Sequence, residues 1–80
     1  MKAESWVISK LIDSKSQALA EYIKKRDNIS WNEAVDKMIR TKTYACLVDE
    51  KTGLVLESNP YIFNQYELEL SDNFEEWIKT

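Results

Sequence analysis

A single glycine, Gly53, and a single proline, Pro60, serve all eighty residues. Sheets and long loops draw on these two residues for tight turns and positive φ, so a chain this poor in them is predicted to fold mostly into helices. The length suits one small domain, and no repeat, low-complexity tract or linker divides residues 1–80. Hydrophobic residues make up 44% of the chain, enough to build a core and too many for a disordered segment.

The clearest helix signal begins at Ser30. Ser30 and Glu33 have the spacing of a capping box, in which each side chain satisfies a backbone N–H that the first turn leaves unpaired. Ile29 can staple the entering chain to the first turn. Trp31, Ala34, Val35, Met38 and Ile39 then form an apolar stripe at helical spacing, which predicts a helix over 31–42. Upstream, Leu19, Tyr22 and Ile23 repeat the spacing ahead of Lys24, Lys25 and Arg26, whose charges suit the negative end of a helix dipole. Asp27-Asn28 suits the exit, since Asn tolerates left-handed backbone. This helix either runs back to about residue 4, or starts at a second capping box, Ser14 with Gln17, leaving 6–12 as a strand or a short helix. One long helix is the favoured reading.

Residues 44–57 are ambiguous. β-branched and aromatic residues flank Asp49–Gly53, a spacing that would suit a hairpin whose turn ends in a left-handed Gly. A lone hairpin is marginally stable, so the expectation is helix to Val48, a turn, and Leu54–Glu57 extended against the helices. Ser58-Asn59-Pro60 then opens another helix, with Ile62, Phe63, Tyr66 and Leu70 on its apolar side. A strand through the alternating Tyr66-Glu67-Leu68-Glu69-Leu70 competes with it. Asp72 and Glu75 could cap a short terminal helix carrying Phe74, Trp77 and Ile78.

The missing residues narrow the chemistry. With no histidine, the usual general base near neutral pH and the commonest metal ligand are both absent. Cys46 stands alone, so it closes no disulfide within the chain and fits a reducing compartment. Its neighbours are apolar and nothing there would hold a thiolate, so it reads as structural. The apolar run Tyr44–Val48 is far too short for a membrane span, and the N-terminus lacks a signal peptide's apolar stretch, so the expected location is the cytoplasm. The sequon Asn28-Ile29-Ser30 is read as coincidental there. The carboxylate pairs Asp49/Glu50, Glu67/Glu69 and Glu75/Glu76 read as solvated surface or helix-end charges rather than acid–base machinery. No enzyme, cofactor or metal site is expected.

Charge is unevenly spread. Residues 1–42 hold nine Lys/Arg and six Asp/Glu, while residues 43–80 hold two and eight. The basic candidates for nucleic-acid contact are Lys24, Lys25, Arg26 and Arg40, with Lys37 and Lys42 nearby, although a net charge of −3 opposes such binding. In the acidic half, Tyr61, Phe63, Tyr66, Phe74 and Trp77 crowd into a short stretch, and the adjacent positions 61–63 cannot all face one core. Exposed Tyr and Trp are favoured binding anchors. The partner-binding candidates are therefore Tyr61, Phe63, Tyr66 and Trp77, rimmed by Glu67 and Glu69.

Residues 16–44, SQALAEYIKKRDNISWNEAVDKMIRTKTY, resemble the two helices of ribbon-helix-helix antitoxins and repressors. That resemblance implies a strand at WVISKLI, residues 6–12, which would pair across a dimer and read DNA, with Lys10 as its one basic side chain. Residues 28–70 more loosely resemble small uncharacterised bacterial proteins of mobile-element and toxin–antitoxin neighbourhoods, which are mainly helical. Together these readings predict a mainly α domain of three to four helices, with a short hairpin around 44–57 as the structural alternative. The expected function is non-catalytic: an intracellular interaction or regulatory protein, antitoxin-like or inhibitory, that binds a protein of basic surface. The alternative is a dimeric DNA-binding repressor using residues 6–42.

Overall fold

The computed structural model describes residues 5–71, and all of its regular structure there is helical. Four α-helices follow in order: α1 Ser5–Asp27, α2 Trp31–Ile39, α3 Lys42–Val48 and α4 Asn59–Leu70. Two 3-10 turns, Glu50–Thr52 and Leu54–Leu56, connect α3 to α4.

Helix α1 passes through Ser14 without a break, so residues 6–12 are helix and the strand alternative is not formed. It ends where Asn28 takes a left-handed φ of 54° and the Ile29 N–H reaches back to the Lys24 carbonyl. The capping box opens α2: the Ser30 hydroxyl accepts from the Glu33 N–H, and the Glu33 carboxylate accepts from the Ser30 N–H. The helix expected over 31–42 stops at Ile39 because Thr41 caps the next one. The Thr41 hydroxyl accepts from the Tyr44 N–H and donates to the Met38 carbonyl, which joins two short helices through a sharp corner.

The expectation of an extended Leu54–Glu57 is also corrected. Leu54 and Val55 are both buried, whereas neighbours in a strand point to opposite faces. Gly53, at φ 75°, reverses the chain, and the Leu56 and Glu57 N–H groups close a 3-10 turn on the Gly53 and Leu54 carbonyls. No hairpin forms among the described residues. Through 66–70 the chain is α4 rather than an alternating strand, opened by the Ser58 cap and Pro60 in its first turn. The terminal helix expected after Asp72 lies outside the described residues, as does the candidate anchor Trp77.

The core draws on every α-helix and on the second 3-10 turn: Leu19, Ala20 and Ile23 of α1, Ala34 and Met38 of α2, Leu47 of α3, Leu54, Val55, and Ile62 and Tyr66 of α4. Helices α1 and α4 run parallel. Lys15 donates to the Glu57 carbonyl just ahead of α4, Tyr22 stacks on Phe63, and Arg26 pairs with Glu67, each contact further along both segments than the last. Each of the four α-helices thus keeps one face on a common core.

Candidate functional site

Parallel packing brings the C-terminal turns of α1 against the second half of α4, and a polar network forms there. Asp27 is its centre, with a side chain only 12% exposed. Its carboxylate accepts from Lys37 Nζ at 2.7 Å, from Arg26 Nη1 at 2.6 Å and from the Tyr66 hydroxyl at 3.0 Å. Glu67 accepts from the Tyr22 hydroxyl and from Arg26 Nε. The Arg26 guanidinium also lies 5.8 Å from the centre of the Tyr66 ring, within cation–π range. Three helices are tied together at this point.

The network sets the titration of its members. Lys37 first, with Arg26 and Tyr66, holds the Asp27 carboxyl below the ordinary Asp range despite its partial burial. Arg26, then Tyr22, lowers Glu67 in the same way. The hydrogen bond to Glu67 raises Tyr22, and burial followed by the bond to Asp27 raises Tyr66. Lys37 and Arg26 are both held more firmly in their charged forms. A catalytic carboxylic acid would need the opposite shift, towards its protonated form.

The sequence-derived anchors separate on this scaffold. Tyr66 is 0% exposed, so its assignment as a surface contact is corrected: it is a core ring whose hydroxyl reaches the Asp27 network. Glu67 is committed to Tyr22 and Arg26. Glu69 is committed too, because its carboxylate accepts from the Lys42 and Thr43 N–H groups and the Thr43 hydroxyl, capping the start of α3. Replacing Glu69 with Gln removes the charge from that cap and is expected to cost about 1 kcal/mol. A drop in the urea midpoint at unchanged slope would register it. Phe63 is half-buried against Tyr22, with ring centres 4.4 Å apart and planes 8° from parallel. Of the original set, Tyr61 stays exposed.

Most of the basic candidates have acidic partners. Arg26 pairs with Glu67 and Asp27, Lys25 with Glu21 one turn back, and Arg40 with Asp36. Lys24 is half-buried. Each of these ion pairs offsets the field that a phosphate backbone would need. Cys46 is half-buried, and no group of residues suited to a metal ion occurs among the described residues.

Trp6, Trp31, Ile39 and Leu70 are exposed large apolar side chains on the helices, and two further surface features stand apart from them. One is an open groove of about 290 Å³ between α1 and α4, lined by Ala18, Tyr22, Phe63 and the stems of Glu21 and Lys25. The other is the connection from the end of α3 to the first turn of α4, where Val48 is 40%, Leu56 68% and Tyr61 40% exposed. The carboxylates of that connection are Asp49, Glu50 and Glu57, against Lys51 within it and Lys15, whose ammonium is held on the Glu57 carbonyl. The Asp49 side chain accepts from the Lys51 N–H and fixes the turn. Sequence reasoning missed Leu56, although three successive apolar residues, 54–56, carry the same warning as 61–63: they cannot all face one core. Among the described residues, no helix is long and apolar enough to cross a membrane. Comparison of the chain with protein-family models, curated proteins and solved structures finds no match.

Proposed function

We propose that this chain is a non-catalytic interaction protein, acting in the cytoplasm in the manner of an antitoxin or inhibitor, that docks a protein of basic surface through the α3–α4 connection. The observation that carries the reading is Leu56, a large aliphatic side chain left 68% exposed on a turn whose neighbours Leu54 and Val55 are buried. The Leu56 and Glu57 N–H bonds to the Gly53 and Leu54 carbonyls hold its backbone there, so the main chain needs no further ordering on binding. Tyr61 and Val48 extend the apolar contact, and Asp49, Glu50 and Glu57 supply charges that would steer and orient a basic partner.

The test is capture of partners from a cell lysate by the tagged full-length chain, run beside Leu56→Asp, Tyr61→Ala and the distant control Lys10→Ala. The wild type and the control should retain the same protein. Leu56→Asp and Tyr61→Ala should retain it at least about tenfold less, the size of effect a central contact produces. Raising salt from about 50 to about 500 mM should weaken the wild-type complex by screening its charges. Equal retention by Leu56→Asp, or no protein retained by any form, overturns the proposal.

A further inference from the structure

The groove between α1 and α4 is separate from the α3–α4 connection. Its lining is almost wholly apolar: the stacked Tyr22 and Phe63 rings and Ala18, with the exposed Glu21 and Lys25 side chains beside them. The polar network fixes one of its rings, because the Tyr22 hydroxyl is bonded to Glu67, which Arg26 also holds. At about 290 Å³ and wide open, it is small and shallow for a drug-sized molecule, and shallow enough for two such apolar faces to abut.

The rim charges say which face. Glu21 and Lys25 lie one turn apart on the same face of α1, 3.5 Å from each other, with side chains 52% and 73% exposed. A rim with one negative and one positive charge in that order is complementary to itself. When two copies of α1 approach antiparallel across a twofold axis, Glu21 of each chain faces Lys25 of the other. Two exposed pairs within the chains can then become two pairs between them, and no unpaired charge is buried. Such an isologous contact closes at two chains. A partner of one sign would leave one rim charge opposed.

We propose that this groove is a homodimer interface, in which the Ala18–Tyr22–Phe63 surfaces of two copies pack together under reciprocal Glu21–Lys25 pairs. The interface would form independently of the connection that carries Leu56 and Tyr61.

The experiment is the solution mass of the full-length chain by light scattering, from about 10 µM to about 1 mM, a range that covers contacts of modest strength. The wild type should pass from monomer to dimer within it. Glu21→Lys and Lys25→Glu, each creating like charges across the axis, should raise the dissociation constant at least about tenfold. The double variant E21K/K25E should return to within about threefold of the wild type, because the swapped charges are again reciprocal. Ala18→Gln, a good helix former that sets a longer polar side chain in the groove lining, should dissociate the dimer while leaving the circular dichroism unchanged. Leu56→Asp should dimerise like the wild type, which separates this interface from partner docking. A monomer at every concentration, a dimer indifferent to Glu21→Lys and Ala18→Gln, or a charge swap that fails to restore association overturns the proposal.

Discussion

Tyr66→Ala is expected to lose about 3–5 kcal/mol and to leave much of the population unfolded at 25 °C. A chain of eighty residues has a total stability of only about 4–12 kcal/mol. The ring is fully buried against α1 and meets Tyr22 edge-on at 6.2 Å, so truncation leaves a cavity. It also removes the hydroxyl that donates to Asp27. Tyr66→Phe keeps the packing and loses only that bond, at about 1–2 kcal/mol. Urea unfolding followed by circular dichroism separates the two. If Tyr66→Ala were as stable as the wild type, the ring would not be a core residue and its surface assignment would return.

Asp27→Ala is the second large effect, expected at about 2–4 kcal/mol, because it deprives Lys37, Arg26 and the buried Tyr66 hydroxyl of a shared acceptor. The same carboxylate gives stability a pH dependence. Asp27 and Glu67 both have folded pKa values below their unfolded ones. Their contribution is therefore complete above the ordinary carboxylate range, and it falls away as pH drops through that range to the lowered folded values. Tyr66 acts at the other end. Its folded pKa is raised, so its contribution holds below the unfolded tyrosine value and is lost as pH rises through the folded one. A thermal-melting series across pH should show a plateau near neutrality with losses on both sides. Asp27→Ala should flatten the acid side, and an acid limb as steep in the variant as in the wild type would contradict its role.

The features legible in the sequence were those set by local chemistry. Ser30 with Glu33, Asn28 at the end of α1, and Ser58 with Pro60 each mark a boundary through bonds or backbone preferences within a few residues, and the structure places helix ends at each. The break after Ile39 depends on Thr41 bonding in both directions at once, which apolar spacing does not reveal. The turn at Leu54–Leu56 was missed because β-branched and aliphatic composition suggests a strand, whereas the burial of both Leu54 and Val55 is a tertiary fact.

The candidate site suffered more, for a related reason. Tyr66 sits four residues after Ile62 and three before Glu69, a spacing that points all three inward on a helix. Alternation through Tyr66–Leu70 suggested instead that Glu67 and Glu69 were a solvated rim. Both carboxylates turn out to have partners more than twenty residues away, on α1 and at the start of α3. Such pairings are invisible until the helices are packed. What was legible was the crowding at 61–63, adjacent large apolar residues that cannot share one core, which leaves Tyr61 outside, whereas the same crowding at 54–56 went unread.

The central claim is that the α3–α4 connection is the face a protein partner occupies. Backbone amide shifts of the isotope-labelled chain, recorded on adding the partner retained by the wild type, test it residue by residue. The account predicts that the perturbed amides cluster between Val48 and Tyr61 and that Leu56→Asp abolishes the changes. Perturbations gathered instead on Lys24, Lys25, Arg26 and Arg40, with residues 48–61 unmoved, would contradict it.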